Sequence, residues 1–128
     1  MSPQKIDTLF LVGHGTENGE KCTIPFVLAN IEVEKPDRKV EVVFIFNGVT
    51  LAIPGKAAGF NIGVPFETFD LETRMKEFQK KGGIISACTP CLIHRGLQDS
   101  PVLDGIVRIK GTDLMEKKDL ATKLLQFT

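Results

Sequence analysis

The chain has 128 residues, 42% of them apolar and 25% charged, and its 16 basic and 16 acidic side chains cancel to a net charge of zero. That length suits one domain, taken as residues 1–128, and the composition excludes a self-repelling disordered chain. Zero net charge argues against general affinity for nucleic-acid backbones or acidic membranes, and leaves self-association unopposed.

Ile6 to Val12 is an apolar run without alternation, stopped by Gly13-His14-Gly15, and reads as a strand buried on both faces. A polar turn, Thr16 to Lys21, leads to an apolar segment, Cys22 to Ile31, in which Ile24, Val27, Leu28 and Ile31 recur at helical spacing. Pro25 fits a helix only in its first turn, so that helix is expected to start near Thr23 and to end at Lys35-Pro36-Asp37. Val40 to Phe46 is β-branched and aromatic, and Asn47-Gly48 punctuates it, which predicts a strand and turn. Leu51 to Phe69 is broken by Pro54, Gly55, Gly59, Gly63 and Pro65, with at most a helical turn at Ala57 to Phe60. Asp70 to Lys81 is amphipathic, with Leu71, Met75 and Phe78 on one face, and Gly82-Gly83 stops it.

A short strand over Ile84 to Ala87, a short helix over Thr89 to Arg95, a strand over Val102 to Ile109, a helix over Thr112 to Thr122 and a last strand over Leu124 to Phe127 complete the reading. Strand and helix therefore alternate, which predicts an α/β chain: a three-layer α/β/α Rossmann-like domain around a mostly parallel five-stranded sheet. No apolar run reaches the roughly 18 residues of a membrane span. Met1 to Asp7 lacks a basic start and a cleavage site, so a cytoplasmic protein is expected. Three cysteines are too few, and odd in number, for a secreted disulfide framework.

Sites in parallel sheets form beyond the carboxyl ends of the strands. Three segments follow strands there: Gly13-His14-Gly15-Thr16, Asn47-Gly48-Val49-Thr50 and Cys88-Thr89-Pro90-Cys91. Cys88 closes a strand and opens a helix, where unpaired N–H groups favour a thiolate, and it is the candidate nucleophile; the alternative is a packed structural thiol. Cys91, three positions on, is a candidate to resolve a mixed disulfide or to receive a sulfur atom. His14 is a candidate base or orienting group, against the alternative of a solvent-exposed loop histidine. Gly13, Gly15, Asn47, Gly48 and Thr89 are candidates to hold a small anion or substrate through backbone and side-chain donors.

The glycine loop misses the spacing of a dinucleotide fingerprint, and Phe46 and Asn47 stand where its acidic residue belongs, so no cofactor is expected. The run Cys88-x-x-Cys91-x-x-His94 lacks a fourth ligand other than Cys22, so no metal is expected either, and Cys22 reads as a packed small residue.

In order and spacing these pieces resemble the DsrE/DsrF/TusD family of small sulfur-handling proteins. The resemblance is carried by the opening strand and Gly-rich loop, by Val42-Val43-Phe44-Ile45-Phe46-Asn47-Gly48-Val49, and by the helix before Gly82-Gly83. Its most diagnostic part is Ile84-Ile85-Ser86-Ala87-Cys88, with Cys91 and Arg95-Gly96-Leu97 behind it. The resemblance implies a parallel five-stranded sheet, a ring-like homotrimer or hexamer, and a cysteine, here Cys88, that carries sulfur as a persulfide. It also implies partners: sulfur donor and acceptor proteins with reactive cysteines, with no nucleic acid and no membrane. Cys91 departs from members with a single reactive cysteine.

The expectation is a sulfur carrier or sulfurtransferase-type protein of intracellular sulfur relay or oxidation, with Leu51 to Pro65 shielding the persulfide or forming the docking surface. Two alternatives stand beside it: a peroxiredoxin-like C-x-x-C dithiol oxidoreductase, and a non-enzymatic oligomeric or small-ligand-binding module.

Overall fold

The computed structural model describes residues 4–128; the first three, part of the stretch read for a leader, lie outside the described residues. The elements run β1 (Ile6–Val12), α1 (Gly19–Val33), β2 (Val40–Phe44), a 3₁₀ segment (Phe46–Ala52), α2 (Leu71–Lys80), β3 (Ile84–Cys88), α3 (Thr89–His94), β4 (Val107–Ile109), α4 (Gly111–Leu120) and β5 (Ala121–Phe127). The sheet has five strands in the order β4-β3-β2-β1-β5, and every pairing is parallel. The expected α/β fold is present, with an all-parallel rather than mostly parallel sheet. None of the described helices is long and apolar enough to cross a membrane.

The unalternating sequence of β1 follows from burial on both faces. Phe10 and Val12 join Phe26 and Ala29 of α1, Met75 and Phe78 of α2, and Leu92 of α3 in the larger core cluster. Leu9 and Leu11 point the other way, to Val43, Ile45 and Ile109 under Leu114 and Leu120 of α4. One sheet face thus carries three helices, and α4 covers the other. Alternation from the paired positions places Ile84, Val107 and Leu124 on the α4 side, where they remain exposed together with Met115 of α4.

A charged knot ties α1 to the strands. Glu32 is 8% exposed. It accepts from Thr8 Oγ1 at 2.8 Å and Lys123 Nζ at 2.7 Å, and it pairs with Lys35 at 2.5 Å. Hydrogen bonds from Lys123, Lys35 and Thr8 hold its carboxyl at a pKa of about 2.

Several boundaries differ from expectation: β2 ends at Phe44 rather than Phe46, β5 begins at Ala121 within the stretch expected as helix, and three other differences have a local cause. Helix α1 starts at Gly19, one turn before Thr23, because Asn18 caps it by accepting the Lys21 N–H. Pro25 therefore lies inside α1, where it removes the donor that would have met the Lys21 carbonyl. Strand β4 is three residues long and starts five residues after Val102. Gly105 takes a φ of +82°, and the Leu103 N–H turns to the Ala52 carbonyl at 2.8 Å, so the preceding stretch leaves the sheet. Asn47-Gly48 is no simple turn but lies within the 3₁₀ segment, whose Val49, Leu51 and Ala52 are buried.

Candidate functional site

β1, β2 and β3 end side by side, and their three exit loops meet at one edge, as the parallel order requires. Cys88 is the last residue of β3 and the N-cap of α3, with α3 residues Thr89, Pro90 and Cys91 following. Both Cys88 and Cys91 are half-buried, whereas Cys22 is fully buried with its thiol toward the Gly19 carbonyl at 3.4 Å. Cys22 is thus a packed residue. Thr89 opens α3 beside Cys88, and His94 ends it exposed. Among the described residues no three His, Cys, Asp or Glu side chains converge as a metal site.

The thiol environment differs from the expected one. Burial raises the Cys88 pKa above the ordinary thiol value, and the adjacent Cys91 side chain raises it further, outweighing the Cys91 backbone N–H and the Arg95 charge, which lower it. The Cys91 side chain lies near enough to Cys88 to act on its titration. Cys91 Sγ also accepts the Phe46 N–H at 3.2 Å. Phe46 makes that bond from a left-handed backbone, φ +50°, and the residue is 55% exposed.

A polar chain leads away from the sulfurs. Arg95 donates from Nη1 to the Cys91 carbonyl and from Nε to Asn47 Oδ1, each at 3.1 Å. Asn47 Nδ2 donates to Glu17 Oε1 at 2.5 Å. The Glu17 carboxylate also accepts the Gly15 N–H at 2.8 Å and meets His14 Nδ1 at 3.1 Å. Burial opposes ionisation of Glu17, but bonds from Asn47, its own backbone, His14 and Gly15 together bring its pKa below the ordinary carboxylate value.

This polar chain engages groups expected to face a substrate. The hydrogen bond of His14 goes to Glu17 and not to a thiol, so His14 sits at the far end of the relay from Cys88. Three of the loop donors proposed to hold an anion are already engaged: Gly13 N–H by the Phe127 carbonyl, Gly15 N–H by Glu17, and Gly48 N–H by the Ile45 carbonyl. The glycines serve close approach instead. A Cβ on Gly48 would be driven into the Val12 carbonyl, and one on Gly15 into the Thr50 hydroxyl. Residues 51–65 run against the start of α1, where Phe60 and Ile62 press on Gly19.

Two residues the sequence reading passed over complete the site. Glu17 stood in a segment read only as a polar turn; an acidic side chain two residues past a strand-end glycine was the available signal. Arg95 entered only as part of a motif, although a cation four residues after Cys91 falls one helical turn away, within reach of its carbonyl.

Fold and edge together define a parallel α/β/α protein with a paired-cysteine strand exit. The DsrE/DsrF-like family model matches residues 7–127, and the chain belongs to that family, which is generally associated with sulfur relay. Two solved structures are similar to it. The ychN protein from E. coli superposes with a TM-score of 0.73 at 14% identity, covering 94% of this chain and 98% of that one. MTH1491 from Methanobacterium thermoautotrophicum, a protein of unknown function, superposes with a TM-score of 0.63 at 15% identity, covering 92% and 98%. At such identities the likeness carries the fold. Comparison with curated proteins yields no match.

Proposed function

We propose that the chain is a cysteine-based sulfur carrier that holds persulfide sulfur on Cys88 and passes it to an acceptor protein. The observation that carries this reading is the half-buried Cys88 sulfur at the end of β3, paired with Cys91 and within the field of Arg95. The Cys88 thiolate attacks the outer sulfur of a donor persulfide, the donor's thiolate leaves, and an acceptor thiolate later removes the same sulfur. A raised pKa makes the thiolate scarce but intrinsically more nucleophilic, which suits transfer from a docked donor better than reaction with free oxidants. Arg95 supplies positive charge to the sulfur anion and is held by Asn47 and the Cys91 carbonyl.

Donor and acceptor are proteins with reactive cysteines, and the exposure of Phe46, whose N–H meets Cys91 Sγ, supports docking at this edge. The sheet face with Ile84, Val107 and Leu124 uncovered supports assembly with further copies of the chain as a trimer or hexamer. Three free cysteines fit a reducing cytoplasm. The test is mass spectrometry after incubation with a sulfur donor: one added sulfur on the peptide carrying Cys88, absent in Cys88→Ser. Labelling confined to Cys22, or binding and cellular function indifferent to Cys88→Ser, would point instead to a non-enzymatic module.

A second reading has its own support, since two free, half-buried cysteines three positions apart at a strand-to-helix junction suit a dithiol oxidoreductase. In that case Cys91→Ser abolishes activity outright, whereas a carrier still loads.

A further inference from the structure

Cys91 is held on both sides. Its Sγ accepts the Phe46 N–H at 3.2 Å and its carbonyl accepts Arg95 Nη1 at 3.1 Å. Between it and Cys88 stands Pro90, whose ring fixes φ and stiffens the two-residue spacer. Phe46 donates from φ +50°, a conformation that costs a non-glycine residue about 1 kcal/mol or more, and its N–H gives negative charge on the Cys91 sulfur a partner.

From this geometry, and resting on the persulfide proposed at Cys88, we infer a further activity: the chain discharges its own load as hydrogen sulfide through Cys91. The Cys91 thiolate attacks Sγ of the Cys88 persulfide, a Cys88–Cys91 disulfide forms, and the bond from Cys88 Sγ to the outer sulfur breaks. Hydrosulfide leaves and takes up the proton that Cys91 gave. The two cysteine sulfurs end as a disulfide, the outer sulfur is reduced to sulfide, and no external oxidant is consumed. Positions three apart on a helical turn fall within the Cα separation of about 4.4–6.8 Å that a disulfide spans. A persulfide that meets no acceptor therefore empties itself, and a thiol reductant must reopen the disulfide before the next load.

The experiment uses the full chain, loaded with inorganic polysulfide and freed of excess by gel filtration. Sulfide release and the mass of the Cys88–Cys91 peptide are followed in time. Wild type should release sulfide in step with formation of the disulfide. In Cys91→Ser the Cys88 persulfide should outlive that of wild type tenfold or more, with no matching sulfide. Cys91→Ala should repeat this, separating loss of the thiol from gain of a hydroxyl. Equal persulfide lifetimes in wild type and Cys91→Ser, or sulfide release that persists in both variants, overturn the discharge while leaving Cys88 a carrier. A Cys88 that gains no sulfur even in Cys91→Ser overturns the carrier reading itself.

Discussion

Replacing Arg95 by Met keeps the aliphatic stem and removes the guanidinium, with its bonds to Asn47 Oδ1 and the Cys91 carbonyl at 3.1 Å. Fully buried bonds from a charged donor contribute about 1.5–3 kcal/mol each, but Arg95 is only half-buried and water replaces part of the loss. The expected cost is about 1–2 kcal/mol, a fall in Tm of about 4–8 °C for a chain of this length. The electrostatic effect has a definite sign. Arg95 lowers the Cys88 pKa, so its removal leaves burial less opposed and carries the pKa further up. The assay is the pH profile of Cys88 alkylation by iodoacetamide, read in a Cys91→Ser background so that Cys88 is the only accessible thiol, Cys22 being fully buried. The midpoint should move to higher pH in Arg95→Met. A midpoint that stays or moves down, with Tm falling as expected, would show that Arg95 only tethers α3. If neither changes, the hydrogen-bond chain from Cys91 to Glu17 has been misread.

Two further outcomes test the frame around the site. Gly48→Ala forces a methyl against the Val12 carbonyl, a backbone group that cannot swing aside, and should cost about 3 kcal/mol, seen as a Tm lower by roughly 10 °C; an unchanged melt would mean the strand exits are more loosely packed than described. Glu32, depressed to about 2 from 4.5, stabilises fully above pH 4.5 and loses that contribution as pH falls toward 2. The shift corresponds to at most about 3 kcal/mol, reduced to about 1–2 because Lys35 and Lys123 are about half exposed. Glu32→Gln should therefore be less stable than wild type at pH 7 in urea titrations, with the gap closing by pH 2; a gap independent of pH would trace the loss to packing.

The strands that are buried on both faces were the most readable part of the sequence, because nothing in Ile6–Val12 or Val40–Phe44 is left to satisfy solvent. Helix α2 was equally plain, with Asp70 capping it and Leu71, Met75 and Phe78 facing the core. The start of α1 was not, since Pro25 spoke louder than Asn18, although a capped helix tolerates one missing donor. Val102 and Leu103 looked like strand because they are apolar, but their burial comes from packing beneath the 3₁₀ segment.

At the site, the cysteines and the convergence of the three loops were legible from position alone. The direction of the Cys88 pKa was not, because desolvation and the neighbouring thiol depend on packing that no spacing encodes. Nor was the capture of Gly15 by Glu17, which turns a nest that looks open in the sequence into one closed by its own side chain.

Helix α4 passes into β5 with no residue between them, and the far end of β5 receives the Gly13 N–H through the Phe127 carbonyl. The helix on the sparsely clad side and the histidine loop at the opposite rim are thus tied to the two ends of one strand, and any slip of β5 along its own axis would have to displace both together.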